Sequence, residues 1–384
     1  MIFDNKYIDY SAKSKKELYE TLILFLLLSN KWIVSIGKYL LNIALLLRIP
    51  ILGIIKKTIF KHFCGGENII ESQKKIYQLG QYNIKTILDY SIEGKNNTKI
   101  LEQTFNEIIK NLELARNNDF IPFCVFKITG IVRYDLLKKI NTEKKLNSDD
   151  SKELVLVKDK LLKICEIAEE CNKPILIDAE ESWIQDGIDK LVEELMYKFN
   201  KKRVLIYNTI QLYRWDRLKY IKDLHLKSKR ENFKIGLKLV RGAYMEKERR
   251  RASKKKYKSP IHTTKEDCDN DFNAASEYCL NHLENMALCF GTHNEMSTHY
   301  IIELMKKKEI KNNDQRIYFS QLLGMSDNIS FYLGHFNYNV AKYVPYGPIK
   351  QVIPYLIRRA EENSSISGQT NREIIRIREL IKKH

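Results

Sequence analysis

The chain has 384 residues, 44% of them hydrophobic, and a formal net charge of +18. That is enough for one large α/β domain with an extension, or for two domains, and no stretch is of low complexity. The charge comes from lysines scattered along the chain, without a zinc-finger, RNP-like or helix-turn-helix pattern. This argues for solvated faces and against nucleic-acid binding.

The seven cysteines (Cys64, Cys124, Cys165, Cys171, Cys268, Cys279 and Cys289) form no CxxC pair and no metal-ligand spacing. No metal is expected. An odd number without a secretory signal reads as reduced thiols of a cytosol-like compartment. The opening MIFDNKYIDY is neither a signal peptide nor an Arg/Ser-rich transit peptide. Residues 22–55 are very apolar (LILFLLL, WIVSI, YLLNIALLL, IPILGII), but Lys31, Lys38, Arg48 and Pro50 interrupt them. A membrane-spanning helix needs roughly 18 or more uninterrupted apolar residues. The spacing therefore predicts two or three short apolar helices, packed on the main domain or lying at a membrane surface.

Beyond residue 80, short β-branched or aromatic runs alternate with longer amphipathic segments. The strand-like runs are KTILDYS (85–91), PFCVFKI (122–128), PILIDA (174–179), RVLIYNT (203–209), FKIGLKLV (233–240), MALCFGT (286–292), RIYFSQL (316–322) and NVAKYV (339–344). Helical patterns lie between them, weakest near DNISFYLG, ahead of the last run. Eight strands alternating with helices predict a (β/α)8 barrel over residues 81–384, preceded by a helical region over 1–80. An open doubly wound sheet is the alternative, although no GxGxxG or GxxxxGK[ST] follows any strand.

Active sites of such barrels sit at the C-terminal strand ends. Those ends carry Asp89, Lys127, Asp178 with Glu180, Gln211, Arg241 to Tyr244, Thr292-His293-Asn294, Gln321 and Tyr343. Together they predict a ring of mixed charge around one pocket, and so an enzyme.

The blocks KLVRGAYMEKER (238–249), FGTHNE (290–295), YFSQLLGMSD (318–327) and YVPYGPIKQVIPYLIRRAEENSS (343–365) resemble the signature blocks of the proline dehydrogenase family. VFKITG (125–130) and ILIDAEESW (175–183) resemble two more. The resemblance runs from about Phe60 to Gln369 with every block in order, and is closer to the single-function bacterial and mitochondrial enzymes than to the long bifunctional ones. It implies a distorted (βα)8 TIM-type barrel with non-covalent FAD at the strand ends. It also implies oxidation of L-proline to Δ1-pyrroline-5-carboxylate, the first step of proline catabolism towards glutamate. Electrons would pass to a membrane quinone and the product to pyrroline-5-carboxylate dehydrogenase. A cytoplasmic place follows, with peripheral contact at the inner face of the cytoplasmic membrane.

Carried onto this sequence, the resemblance makes Arg358 and Arg359 the carboxylate-binding pair, approached from the start of a helix. Planar guanidinium forks suit a carboxylate. Lys127 matches the active-site lysine. Asp178 matches the active-site aspartate, which would stay ionised, hold one lysine and the two arginines in place, and also cap the helix opened by DAEE. Tyr244 and Tyr343 would wall the proline ring under Leu323. A tyrosine at position 343 goes with proline rather than hydroxyproline.

For FAD the resemblance implies Ala179, Gln211, Val240, Gly242, Ala243, Thr292, His293, Asn294 and Glu362, with Lys238 as the cation beside the flavin. Lys238 stands where many bacterial relatives carry arginine, and Met245 where some carry tryptophan. Glu93 would gate the substrate by pairing with Arg358, for which Glu362 competes at i,i+4 spacing. The basic run KERRRASKKKYK (247–258) faces solvent, the FAD pyrophosphate or anionic lipid. A hydroxyproline or related cyclic imino-acid dehydrogenase is the alternative, and a non-catalytic basic membrane-associated protein on a degenerate barrel a remote one.

Overall fold

The structure, a computed structural model, describes residues 3, 14–47, 49–92, 97–142, 145–365 and 367–383. Every predicted apolar run is a strand: β1 (Ile84–Tyr90), β2 (Cys124–Lys127), β3 (Ile175–Asp178), β4 (Ile206–Gln211), β5 (Ile235–Val240), β6 (Met286–Gly291), β7 (Ile317–Leu322) and β8 (Val340–Tyr346). Paired neighbours are all parallel, in the order β1-β8-β7-β6-β5-β4-β3-β2. The chain thus goes once round a ring, as a barrel requires and a doubly wound sheet does not. The seam falls between β1 and β2, where the Thr86 N–H donates to the Phe120 carbonyl at 2.7 Å.

Strand alternation sorts the side chains into two cores. Leu88, Phe126, Ile177, Leu237 and Leu288 face the helices. Ile87, Val125, Leu176, Tyr207, Ala287, Cys289, Ala341 and Tyr343 fill the inside. Two residues further along their strands, Asp89, Lys127 and Asp178 share that inner face. Gln211, four beyond Tyr207, does so too.

The helices in chain order are α1 (Lys15–Leu28), α2 (Lys31–Leu46), α3 (Leu52–Ile55), α4 (Lys61–Phe63) and α5 (Ile69–Gly80), then α6 (Thr98–Arg116) after β1. Next come α7 (Tyr134–Asn141) and α8 (Ser148–Glu170), α9 (Ser182–Phe199), α10 (Arg217–Arg230), α11 (Met245–Lys255), α12 (Lys265–Leu280) and α13 (Glu295–Lys307). The last three are α14 (Asp327–His335), α15 (Ile349–Ser365) and α16 (Ser367–Lys383). A π-helical turn, Lys56–Phe60, joins α3 to α4.

The faint pattern DNISFYLG is the helix α14, held by tertiary contacts rather than propensity. Asn328 donates to Glu295 at 2.9 Å, Ser330 donates to Gln321 at 2.8 Å, and a Cβ on Gly334 would come within 2.5 Å of the Tyr82 carbonyl. The run at 203–209 starts later as a strand than its sequence predicts. Buried Asn200, just after α9, accepts from the Leu205 and Ile206 N–H groups at 2.9 and 2.8 Å and donates to the Ile206 carbonyl at 2.8 Å.

Of the N-terminal helices, α1 packs Leu18 and Phe25 against Ile374, Ile377 and Leu380 of α16. Leu28, Phe60 and Phe63 pack against Val352 and Leu356 of α15. By contrast, Trp32, Ile36, Tyr39, Leu40 and Leu46 of α2 stand exposed, Trp32 at 79%. No single described helix is long and apolar enough to cross a membrane.

Replacing Asn200 by alanine strips partners from two buried N–H groups and a carbonyl. Each orphaned group costs roughly 1–3 kcal/mol. Asn200→Ala should therefore destabilise the fold by about 3 kcal/mol or more, read as a lower midpoint in denaturant unfolding.

Candidate active site

Lys238 is 5% exposed, deep on the inner face of β5. A buried ammonium needs a counter-charge and hydrogen-bond acceptors. It finds both: it donates to Asp178 Oδ1 on β3 and, at 2.7 Å, to the Tyr343 hydroxyl on β8. The Tyr343 hydroxyl lies 3.4 Å from the same carboxylate oxygen. The other oxygen, Oδ2, is 3.7 Å from Lys127 Nζ, which lies 4.0 Å from Asp89 Oδ1. Asp89, Lys127, Asp178 and Lys238 thus form a chain of alternating charge across four strands, closed by the neutral Tyr343 hydroxyl from a fifth. Burial works against the charge on Lys127, but Asp89 and Asp178 outweigh it and hold its pKa well above the usual lysine value. Burial, reinforced by Asp178, raises the Tyr343 hydroxyl well above the usual phenol range, so it stays protonated.

Asp178 does not cap a helix as expected. The helix begins later, at Ser182, with Glu181 at its N-cap position and no cap from that side chain. Glu248 of α11 does the work from outside, accepting from the Ser182 N–H and hydroxyl at 2.6 and 2.7 Å. Lys247 pairs with Glu181, and Arg251 stacks 4.3 Å from the Trp183 ring. Lys247 and Arg251 thus help pack α11 on α9, while most of the basic run is exposed.

The arginine pair also sits differently from expectation. Arg358 and Arg359 are the tenth and eleventh residues of α15, about 15 Å along it at 1.5 Å per residue, and not at its start. Their reach comes from side-chain length, not from the helix N-terminus. They also face different neighbours. Half-buried Arg358 is close enough to act electrostatically on Tyr244, as Lys127 is. Buried Arg359 pairs with Glu362 at 2.5 Å, stacks 5.3 Å from the Tyr355 ring and acts on His293. Glu93 lies outside the described residues.

Around this centre run the other predicted positions. Leu323 is buried, and its N–H donates to the Tyr343 carbonyl at 2.9 Å. Tyr244 is half-buried at the start of α11; burial, opposed by Lys127, raises its phenol well above the usual value. Ala179 is buried directly after Asp178. Gln211 ends β4 with its amide oxygen buried and without a hydrogen-bond partner.

Beyond Val240 the backbone at Gly242 and Ala243 is exposed. Gly242 has φ +130°, and a Cβ there would meet the Tyr213 ring at 2.6 Å, so only glycine leaves this edge open. Thr292 accepts from Arg241 at 2.7 Å, and Arg241 also bonds Ser297 at 2.7 Å and Asp269 at 2.6 Å, locking the ends of β5 and β6 together. His293 bonds Ser326 at 3.0 Å. Burial, with Lys342, Arg359 and Arg241, pushes its pKa down to about 3, so it is neutral. The Asn294 amide oxygen caps α13, which leaves its nitrogen for a ligand.

Two participants were named in sequence only as strand ends. Asp89 proves to be the second carboxylate on Lys127. Glu180, buried, accepts from the Thr129 N–H at 3.0 Å and from its hydroxyl. Their signal was position: each lies at or just past the end of an apolar run. Burial pushes Glu180 up to about 7, against the pull of Thr129 and Lys127. Between the ordinary carboxylate value of 4.5 and about 7, the folded chain therefore holds more proton than the unfolded one, and stability falls as pH rises through that window. The melting temperature should drop more between about pH 5 and 7.5 in the wild type than in Glu180→Gln, by thermal unfolding at each pH.

The proline dehydrogenase family model matches residues 72–372. Proline dehydrogenase 1, mitochondrial, of Dictyostelium discoideum is 31% identical over 97% of this chain and 73% of its own length. Proline dehydrogenase 2, mitochondrial, of Arabidopsis thaliana is 30% identical over 89% and 82%. Among solved structures, proline utilization A (PutA) from Bdellovibrio bacteriovorus, inactivated by N-propargylglycine, superposes with a TM-score of 0.73 at 19% identity. That match covers 94% of this chain, which spans only 38% of the PutA chain, and it supports the barrel fold alone. With a family model over most of its length and two long relatives at 30% identity or more, the chain belongs to the proline dehydrogenase family.

Proposed function

We propose that the protein oxidises L-proline to Δ1-pyrroline-5-carboxylate, with FAD held at the strand ends and electrons passed on to a membrane quinone. The observation that carries this reading is the buried Asp178–Lys238–Tyr343 cluster beside the partnerless amide oxygen of Gln211. A buried polar atom without a protein partner is satisfied by a ligand or by an ordered water. The open backbone at Gly242 and Ala243 and the polar turn at Thr292, His293 and Asn294 also fit a flavin. Ala179, Gln211, Lys238, Val240, Gly242, Ala243, Thr292, His293, Asn294 and Glu362 would hold it. FAD, when bound, supplies the hydride acceptor.

The gathering of cations suits a carboxylate ligand. Lys127, Lys238, Arg358 and Arg359 come to one end of the barrel, interleaved with Asp89, Asp178, Glu180 and Glu362. Proline's carboxylate would be held by the Arg358 and Arg359 guanidinium groups with Lys127 behind them. Tyr244, Tyr343 and Leu323 would wall the ring and exclude water, presenting the carbon next to nitrogen for hydride loss from the neutral amine. That step gives the protonated imine. Asp178 acts by fixing two ammonium groups, and Lys238, so fixed, favours negative charge arriving beside it. Tyr343 is buried and bonded at its hydroxyl, which leaves little room for a ring hydroxyl and favours proline over hydroxyproline.

Anaerobic L-proline should bleach the flavin band of the purified protein, and trans-4-hydroxyproline should do so more weakly. Arg359→Met should keep the flavin but raise the KM for proline by about 100-fold, the loss of one charge-assisted pair. A band indifferent to proline would reject the substrate. No flavin uptake from added FAD would reject the cofactor.

The quinone acceptor places the enzyme, on this reading, at the inner face of the cytoplasmic membrane, with a pyrroline-5-carboxylate dehydrogenase as the next enzyme. The exposed apolar face of α2, with Lys31 and Lys57 exposed at either end of the region, suits an anionic bilayer surface. The protein should sediment with anionic lipid vesicles and less with neutral ones. The double variant Ile36→Asp, Leu40→Asp should lose at least about tenfold in vesicle binding. Equal sedimentation of variant and wild type would remove α2 from this role.

A further inference from the structure

At the end of the barrel opposite the charge cluster, three potential metal ligands converge. His225 comes from the last turns of α10. His282 and Glu284 come from the turn that leads from α12 into β6. One ligand atom from each lies within 4.8 Å of the others, and His282 Nδ1 is 3.6 Å from Glu284 Oε1. The two imidazole rings are 4.5 Å apart at 46°, inclined rather than stacked.

The second observation is His225 itself. It is 2% exposed, its Nδ1 lies 2.8 Å from the Tyr278 hydroxyl, and its Nε2 is buried with no hydrogen-bond partner. A buried imidazole nitrogen left unpaired costs free energy unless something occupies it. One ring nitrogen oriented by a neighbouring oxygen, with the other left open, is the arrangement typical of a metal-ligating histidine. The same two segments are tied by Asn285, which donates to Ser228 at 2.7 Å, so the ligand-bearing elements are already held in register.

We propose that His225 Nε2, His282 and Glu284 bind one divalent transition metal ion of the zinc class, completed by water. Two imidazoles and one carboxylate are a donor set that suits zinc, and imidazole also suits copper and nickel. The hard cations Mg²⁺ and Ca²⁺ prefer all-oxygen sites and are disfavoured. The ion clamps α10 to the turn before β6, at the strand N-termini. It therefore stabilises the base of the barrel and takes no part in the chemistry at the other end. Sequence spacing hid the site, because His225 and His282 lie on different helical units and meet only when the ring closes.

The test uses the full-length, flavin-loaded protein, first stripped with a chelator. Zn²⁺ should bind with one equivalent by calorimetry and raise the melting temperature by about 5 °C at saturation. Co²⁺ in its place should give visible ligand-field absorption. His282→Gln and Glu284→Gln remove ligands that are only partly buried or exposed. Each should weaken Zn²⁺ binding by at least about tenfold, while the chelated variants melt where the chelated wild type does. Flavin reduction by proline should be the same with and without the ion. Absence of a saturable Zn²⁺ equivalent, or unchanged binding in both variants, would overturn the site.

Discussion

A lysine cut off from water must have an anion beside it, and the interior of this barrel is arranged around that requirement. Lys238 sits where parallel strands exclude solvent on both faces. Its charge persists because Asp178 and the Tyr343 hydroxyl meet it there. Removing one partner of such a pair leaves an uncompensated buried charge, at about 3–5 kcal/mol. Asp178 in turn balances Lys127, and Lys127 balances Asp89. Charge thereby ties β1 to β2 across the seam, β2 to β3 beside their ladder, and β3 to β5, which are not adjacent in the sheet. The positions are set by alternation: the residue two beyond an inward Ile87, Val125 or Leu176 must itself point inward, and those residues are Asp89, Lys127 and Asp178.

Outside that centre the device changes from ion pairs to backbone shape. Gly242 keeps the edge of β5 open because any side chain would strike Tyr213. Arg241 bonds Thr292, Ser297 and Asp269 together, so the ends of β5 and β6 form a rigid rim. Neutral His293 adds no charge to that rim. Arg358 and Arg359 reach the site from the middle of α15, where Pro354 one turn earlier lacks the N–H that would bond the Lys350 carbonyl. The two arginines therefore approach from mid-helix, with Arg359 anchored by Glu362 and Tyr355. The helix dipole has little effect that far from the terminus.

The two ends of the barrel divide the labour. The C-terminal strand ends gather charge and leave polar atoms open, whereas at the N-terminal ends connections such as Asn200 satisfy their neighbours and His225 Nε2 stays open. The N-terminal helices follow a third logic. α1 is buried against α16, while α2 keeps its large apolar side chains in solvent. Sequence alone could not separate these two outcomes, because both helices are strongly apolar and α2, the more apolar of the two, is the one left exposed. What differs is the presence of a partner: Ile374, Ile377 and Leu380 arrive from the far end of the chain to cover α1.

Alternating runs and turns were enough to read all eight strands, because a strand buried on both faces must be continuously apolar whatever its neighbours do. The signature blocks were enough to place Asp178, Lys127, Lys238, Tyr343, Arg358 and Arg359 in one family pattern. Partnership was not legible. Asp89 as a counter-ion of Lys127, Glu180 pushed towards neutrality by burial, and Glu248 capping α9 from another helix all depend on distances between residues far apart in sequence. α14 was faint for the same reason: its Asn328, Ser330 and Gly334 favour a helix only once Glu295, Gln321 and Tyr82 surround them. The sequence by itself determined which residues are apolar, charged or turn-forming, and hence the order of elements, since those are local properties. The tertiary structure decided which charges neutralise one another and which polar atoms remain open for a ligand. Burial and electrostatic pairing are set by neighbours in space, and those exist only once the ring is closed.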